Sequence, residues 1–178
     1  MTQRMFLIQT NITWLEQAVS LLSQLSDRTY KNSPAGQGRH RVGGHLRHIL
    51  EFYECFFDGI ASGVIDYDAR KRNVLVEESR SYAAQTALGV IHKLEWLRKA
   101  NDAAAVFVRM EDALGADISD SLLASSVERE LQMLSSHTIH HFALIAMTLS
   151  AHGEAVHEDF GMAPSTLRHL AGAATCAQ

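Results

Sequence analysis

A chain of 178 residues that is 47% hydrophobic and 20% charged, with two prolines and a net charge of -4, has the size and composition of one domain, residues 1–178, with a real core rather than a disordered segment. Lys and Arg number 16 against 20 Asp and Glu with no long basic run, so a nucleic-acid partner is not expected. Apolar runs such as Phe142 to Met147 are too short to span a bilayer, the N-terminus lacks signal-peptide order, and Cys55 and Cys176 make no disulfide framework, so no membrane role and a cytoplasmic address are expected.

In chain order, residues 2–26 carry Ile8, Ile12, Leu15, Val19 and Leu22 at alternating spacings of four and three, which predicts an amphipathic first helix. From Asp27 to Arg41 the periodicity stops, and Ser33-Pro34-Ala35-Gly36-Gln37-Gly38 reads as a loop. A second helix is expected over residues 42–62, with Val42, His45, Leu46, Ile49, Phe52, Tyr53, Phe56 and Ile60 on one side and Arg47, Glu51, Glu54 and Asp58 on the other. Residues 63–81 form a long mixed connection around Ile65 to Arg72, and connections of that length are often packed or functional. Tyr82, Leu88, Ile91, Leu94 and Leu97 carry a third helix over residues 79–100. The β-branched and aromatic run Ala105 to Met110 allows a strand, which Gly115-Ala116-Asp117 would turn back into residues 118–124 as a small hairpin.

The fourth helix starts at a capping-box pattern, Ser125 followed by Glu128, and runs over residues 126–152 to Gly153. Val127, Leu131, Leu134, Thr138, His141, Ile145 and Leu149 mark one of its faces. Pro164 suits the first position of one more short helix in the tail. Four amphipathic helices joined by short-to-medium links make the expected fold class all-α, an up-and-down four-helix bundle with a short β-hairpin between helices three and four.

Three histidines fall within five residues of the fourth helix. With His137 at 0°, the apolar arc runs from about −40° to 140°, His141 falls near 40° and His140 near −60°. His137 and His141 therefore point inward one turn apart, the ligand spacing of a helix-borne metal site, while His140 sits at the margin. An unsatisfied buried nitrogen costs about 1–3 kcal/mol, and a metal satisfies both imidazoles at once; hydrogen bonding within the core is the plainer alternative. The second helix offers a third ligand in His45, within the inward arc, or His48, at its margin, and periodicity does not settle the choice.

The run His48-Ile49-Leu50-Glu51-Phe52-Tyr53 on the second helix and His137-x-x-x-His141 on the fourth resemble the DinB-like four-helix proteins related to YfiT, which are distinct from the DNA polymerase sharing the DinB name. The resemblance covers the four helices in order. It implies a three-histidine site for a divalent metal with His48, His137 and His141 as ligands, leaving His45 as a supporting or core residue. Three neutral imidazoles leave a coordination position open, and such a set suits Zn, Ni or Fe. The resemblance further implies a metal-dependent thiol S-transferase or hydrolase acting on a small substrate, with a low-molecular-weight thiol as partner, and a homodimer.

Glu130 projects inward near 20°, two turns before His137, where it is a candidate general base or a residue paired with Arg70 or Arg72. Cys55 lies on the same side as His48 and reads as packing before nucleophile. Asp66, Tyr67 and Asp68 are candidates for the mouth of the site. The competing reading is a non-catalytic metal- or ligand-binding module that pairs with a second copy through Phe52, Phe56 and Phe57. An open pocket at the histidines favours the enzyme, and burial behind residues 160–167 favours the structural role.

Overall fold

A computed structural model of the protein describes residues 2–35, 40–99, 105–109 and 122–175. The chain is mostly helical, with α1 (Gln3–Gln24), α2 (Asp27–Lys31), α3 (Val42–Ile60), α4 (Val74–Glu78), α5 (Arg80–Leu97), α6 (Val127–Ala151) and α7 (Pro164–Thr175). A small sheet is made by β1 (Val64–Asp66), β2 (Ala105–Arg109) and β3 (Leu123–Ser126).

Five of the described helices start where a short polar side chain can take an orphan amide. Thr2, Ser26, Asn73, Ser79 and Ser126 each accept a backbone N–H at the start of α1, α2, α4, α5 and α6. The cap of α6 is Ser126, which accepts from the Arg129 amide, one residue later than the expected Ser125. Ser125 belongs to β3 instead, and its hydroxyl donates to Glu130. The helix that carries the second-helix histidines, α3, has no side-chain cap at all. A cap contributes about 1 kcal/mol, whereas burying one large apolar side chain contributes about 1.5–3 kcal/mol. With Leu46, Ile49, Leu50, Tyr53 and Phe56 all at 1% exposure or less, packing holds α3 in place.

That packing sets α3 against α5 and α6, and α1 against α5 and α6. A buried polar chain ties three of these helices together. Tyr53 on α3 donates to Asn11 Oδ1 on α1 at 2.6 Å, and Asn11 Nδ2 donates to the Leu131 carbonyl on α6 at 2.9 Å. Trp14 on α1 donates to Ser135 on α6 at 2.9 Å. These hydrogen bonds are buried and their atoms would cost stability unpaired, so together they fix how α1, α3 and α6 sit against one another.

Two connections are more structured than their sequence suggests. The expected loop from Asp27 contains α2, whose Tyr30 is fully buried and donates its hydroxyl to the Val76 carbonyl of α4. The segment after α3 enters the sheet as β1, parallel to β2 with Val64 opposite Phe107 and Asp66 opposite Arg109. β2 pairs antiparallel with β3, Ala105 opposite Ser126, so an antiparallel pair is present as expected, but the described returning strand is Leu123–Ser126 and overlaps the expected residues 118–124 only at Leu123 and Ala124. The expected turn at Gly115 to Asp117 lies outside the described residues. Phe52 and Phe56, expected as part of a dimer face, are buried inside the chain at 8% and 0% exposure, so of that trio only the half-buried Phe57 offers surface to a second copy. Among the described residues no helix is long and apolar enough to cross a membrane.

Candidate metal centre

Where α3 lies on α6, one nitrogen from each of His48, His137 and His141 comes within 4.8 Å of the others. His48 Nε2 and His137 Nε2 are 3.1 Å apart. The rings pack edge to face, with centroids 4.6 Å apart for both His48–His141 and His137–His141. Phe52 stacks on His137 at 4.1 Å and walls one side of the group. The inward spacing on α6 thus meets a histidine of α3, and that histidine is the one at the margin of the α3 arc.

The other α3 histidine is drawn in as well, in a different role. His45 Nδ1 stands 3.1 Å from His141 Nδ1, which leaves Nε2 as the free nitrogen of His141. A hydrogen bond to the far nitrogen of a ligand histidine fixes its tautomer and ring orientation. His140 is exposed, with its ring 5.2 Å from that of His141, and does not join the convergent group.

The protonation state of the cluster favours ligation. Burial, together with the neighbouring imidazoles and the charge of Arg70, pulls His48 and His137 down to about 4. Burial and the surrounding imidazoles pull His141 down to about 3. Burial and then His40 and His140 lower His45. At neutral pH all four are uncharged, the form in which imidazole binds a cation. His137 Nδ1 and His45 Nε2 are buried with no hydrogen-bond partner. Three uncharged imidazoles with nitrogens this close together could hold an ion.

One contact opposes ligation. Arg70 Nη1 lies 3.0 Å from His48 Nδ1, and a guanidinium only donates. His48 Nδ1 is therefore the acceptor and its proton sits on Nε2. The Arg70 guanidinium also rests over the Phe52 ring at 5.3 Å. Residues of the long connection thus reach the site, and Arg70 is the functional neighbour that helical periodicity could not have found, because it lies outside any helix.

The remaining candidates are placed elsewhere. Glu130 is buried, but its partners are Tyr67, which donates to Oε2 at 2.9 Å, and Ser125, not Arg70 or Arg72. Seven residues before His137, it stands about 10 Å along the helix axis from the imidazole cluster. Its visible work is to bind β1's exit and β3 to α6. Burial first, and then Glu130, hold the Tyr67 hydroxyl well above its ordinary range, so it stays a donor. Tyr67 also stacks on Phe52 at 5.0 Å, which makes it a support of the site's wall rather than its mouth. Asp66 accepts the Asp68 and Ala69 amides and pairs with Arg109. Cys55 is a buried free thiol, and burial pushes it up to about 11, so it is not a nucleophile at neutral pH.

A cleft of about 810 Å³ opens onto the cluster and is lined by His45, His48 and His141. The tail does not close it: Phe160 stacks on Phe142 at 4.7 Å and lines a separate cavity with Leu21 of α1 and Leu25 just beyond it. No family model matches the chain, and no solved structure matches it. FK506-binding protein 5 of Rhizopus delemar is 35% identical over 108 residues, 60% of this chain and 28% of that protein. The chain thus covers less than a third of the fungal protein's length.

Proposed function

We propose that the protein is a DinB-like four-helix-bundle metalloprotein that uses His48, His137 and His141 to hold a divalent metal, and that it acts on a small substrate as a thiol S-transferase or hydrolase. The observation that carries this reading is the convergence of three neutral imidazoles from α3 and α6 beside an open cleft. The mutual packing of α1, α3, α5 and α6 supports the bundle.

A Zn, Ni or Fe ion held by three neutral imidazoles supplies Lewis acidity and lowers the pKa of a thiol or water bound beside it. The chain's own residues do the rest. His45 orients His141, Phe52 keeps one side of the cluster apolar, and the cleft admits a small molecule to His48 and His141 while His137 lies deeper. Among the described residues the buried carboxylates are each engaged by other partners, Glu130 by Tyr67 and Ser125, Glu77 by Arg41 and Arg47, and Glu51 by the Asn73 amide, so none is left as a ready general base for the trio. That favours chemistry in which the substrate's own thiol or a water is activated directly. The open cleft, unobstructed by the described tail, weighs against a purely structural site.

Metal analysis of freshly purified protein tests the proposal. Stoichiometric metal is expected in the wild type and loss of it in His48→Ala, His137→Ala and His141→Ala. Equally negligible metal in all four would remove the site. In cobalt-substituted protein the visible spectrum is expected to change on adding a low-molecular-weight thiol; a spectrum indifferent to thiols would leave the non-catalytic binding module as the better reading.

A further inference from the structure

The cleft that reaches His48 and His141 is opposite in sign to the chain as a whole. Its lining includes Lys31, Arg41, Arg47 and Arg72 against one carboxylate, Glu77, on a protein of net charge -4. These cations come from separate elements: Lys31 from the end of α2, Arg41 and Arg47 from the start of α3, and Arg72 from the connection before α4.

They fall into two groups. Arg41 donates to Glu77 Oε2 at 2.6 Å and to Glu78 at 2.8 Å, and Arg47 pairs with Glu77 Oε1 at 3.1 Å. Both oxygens of Glu77 are thereby taken up, and the two arginines are held as a rigid wall. Lys31 and Arg72 pair with no carboxylate among the described residues. Arg72 also holds a left-handed backbone at φ 51°, the one non-glycine to do so among the described residues, and such strain is kept where surrounding structure or function requires it. Two unpaired cations beside two anchored ones, lining one open cleft of small-molecule size, concentrate anions.

We propose that this cleft binds a small oxyanion, the carboxylate or phosphate group of the substrate, through Lys31 and Arg72, so that the rest of the molecule is presented to the histidines. Only the word substrate rests on the metal-dependent reading; the anion site itself does not. A guanidinium takes a carboxylate or phosphate in two parallel hydrogen bonds, and the lysine adds a movable point charge. Arg41 and Arg47 contribute field without leaving their glutamates.

Calorimetric titration of the full chain, stripped of metal with a chelator, tests this with succinate and inorganic phosphate as probes and succinamide as the uncharged control. Saturable binding of at least one dianion, none of succinamide, and weakening with added salt are expected. Lys31→Gln and Arg72→Asn are each expected to weaken binding about tenfold, while thermal unfolding stays that of the wild type. Preference for succinate assigns a carboxylate and preference for phosphate a phosphoryl group. Absence of binding by either dianion, or binding unchanged in the Lys31→Gln/Arg72→Asn double variant, overturns the proposal. Anion binding in a protein that never holds metal would sink the proposed function and leave this site standing, and metal without anion binding would do the reverse.

Discussion

Two side chains that touch the histidines from outside the trio pull in opposite directions. His45 meets His141 Nδ1 at 3.1 Å, and with His141 as the donor of that pair its Nε2 is left for a cation. Arg70 donates to His48 Nδ1 at 3.0 Å and so favours the tautomer that puts a proton on Nε2, the only nitrogen His48 has left to offer. Its charge also stands against a second cation nearby. Removing each should therefore move metal affinity in opposite senses. His45→Ala is expected to weaken binding by about 10- to 100-fold, the usual effect of losing a partner of a ligand, and Arg70→Met to tighten it. Competition against a chromophoric chelator at pH 7 measures both. An unchanged Kd in His45→Ala, or weaker binding in Arg70→Met, would contradict these roles.

At the scale of elements, the short helix α4 lies close against α3 because Gly43 carries no side chain. A Cβ built there would stand 2.3 Å from the Glu77 carbonyl oxygen, a backbone atom that cannot swing aside. Gly43→Ala must push α4 outward, and with it the Glu77 that anchors Arg41 and Arg47. A destabilisation of about 1–3 kcal/mol is expected from such overpacking, read as a lower midpoint in urea unfolding. At Gly44 the nearest atoms would be 3.5 and 3.8 Å away, ordinary contact, so Gly44→Ala should leave the midpoint unchanged or raise it slightly. Equal effects at the two positions would remove the close approach as the cause. The same contact explains what a sequence reveals and what it conceals. The long helices α1, α3, α5 and α6 announce themselves through a repeat of apolar residues that any one helix must satisfy alone. By contrast, α2, β1 and α4 are three to five residues long and owe their form to distant partners: Tyr30 to Val76, Val64 to Phe107, Gly43 to Glu77. The inward pair on α6 was legible for the same reason as its helix. The choice between His45 and His48 was not, because both reach α6 and only the facing side chains decide which joins the trio. Glu130 was correctly read as buried, but its partners Tyr67 and Ser125 lie on strand-flanking segments that periodicity cannot position.

For the whole molecule, the cluster couples stability to pH, because the histidines sit in the contact between α3 and α6. Unfolded, each imidazole returns to its ordinary value of about 6.5. Folded, burial and neighbouring groups hold His48 and His137 at about 4 and His141 at about 3. Between these limits the unfolded chain takes up protons that the fold refuses, so stability is fully present above about 6.5 and declines as pH falls toward 4 and then 3. All three rings retain some solvent contact, so part of the effect is screened. Chelator-treated protein is therefore expected to unfold at a lower urea concentration at pH 5 than at pH 7, a window above the titration of ordinary carboxylates near 4. His137→Gln removes one of the three and should make the decline shallower, whatever it does to the midpoint at pH 7. A midpoint level from pH 7 to 5 in the wild type, or a decline just as steep in the variant, would show that the histidines do not resist protonation in the fold. Metal should oppose the same decline, since an ion bound to the neutral rings adds its own binding free energy to the folded state.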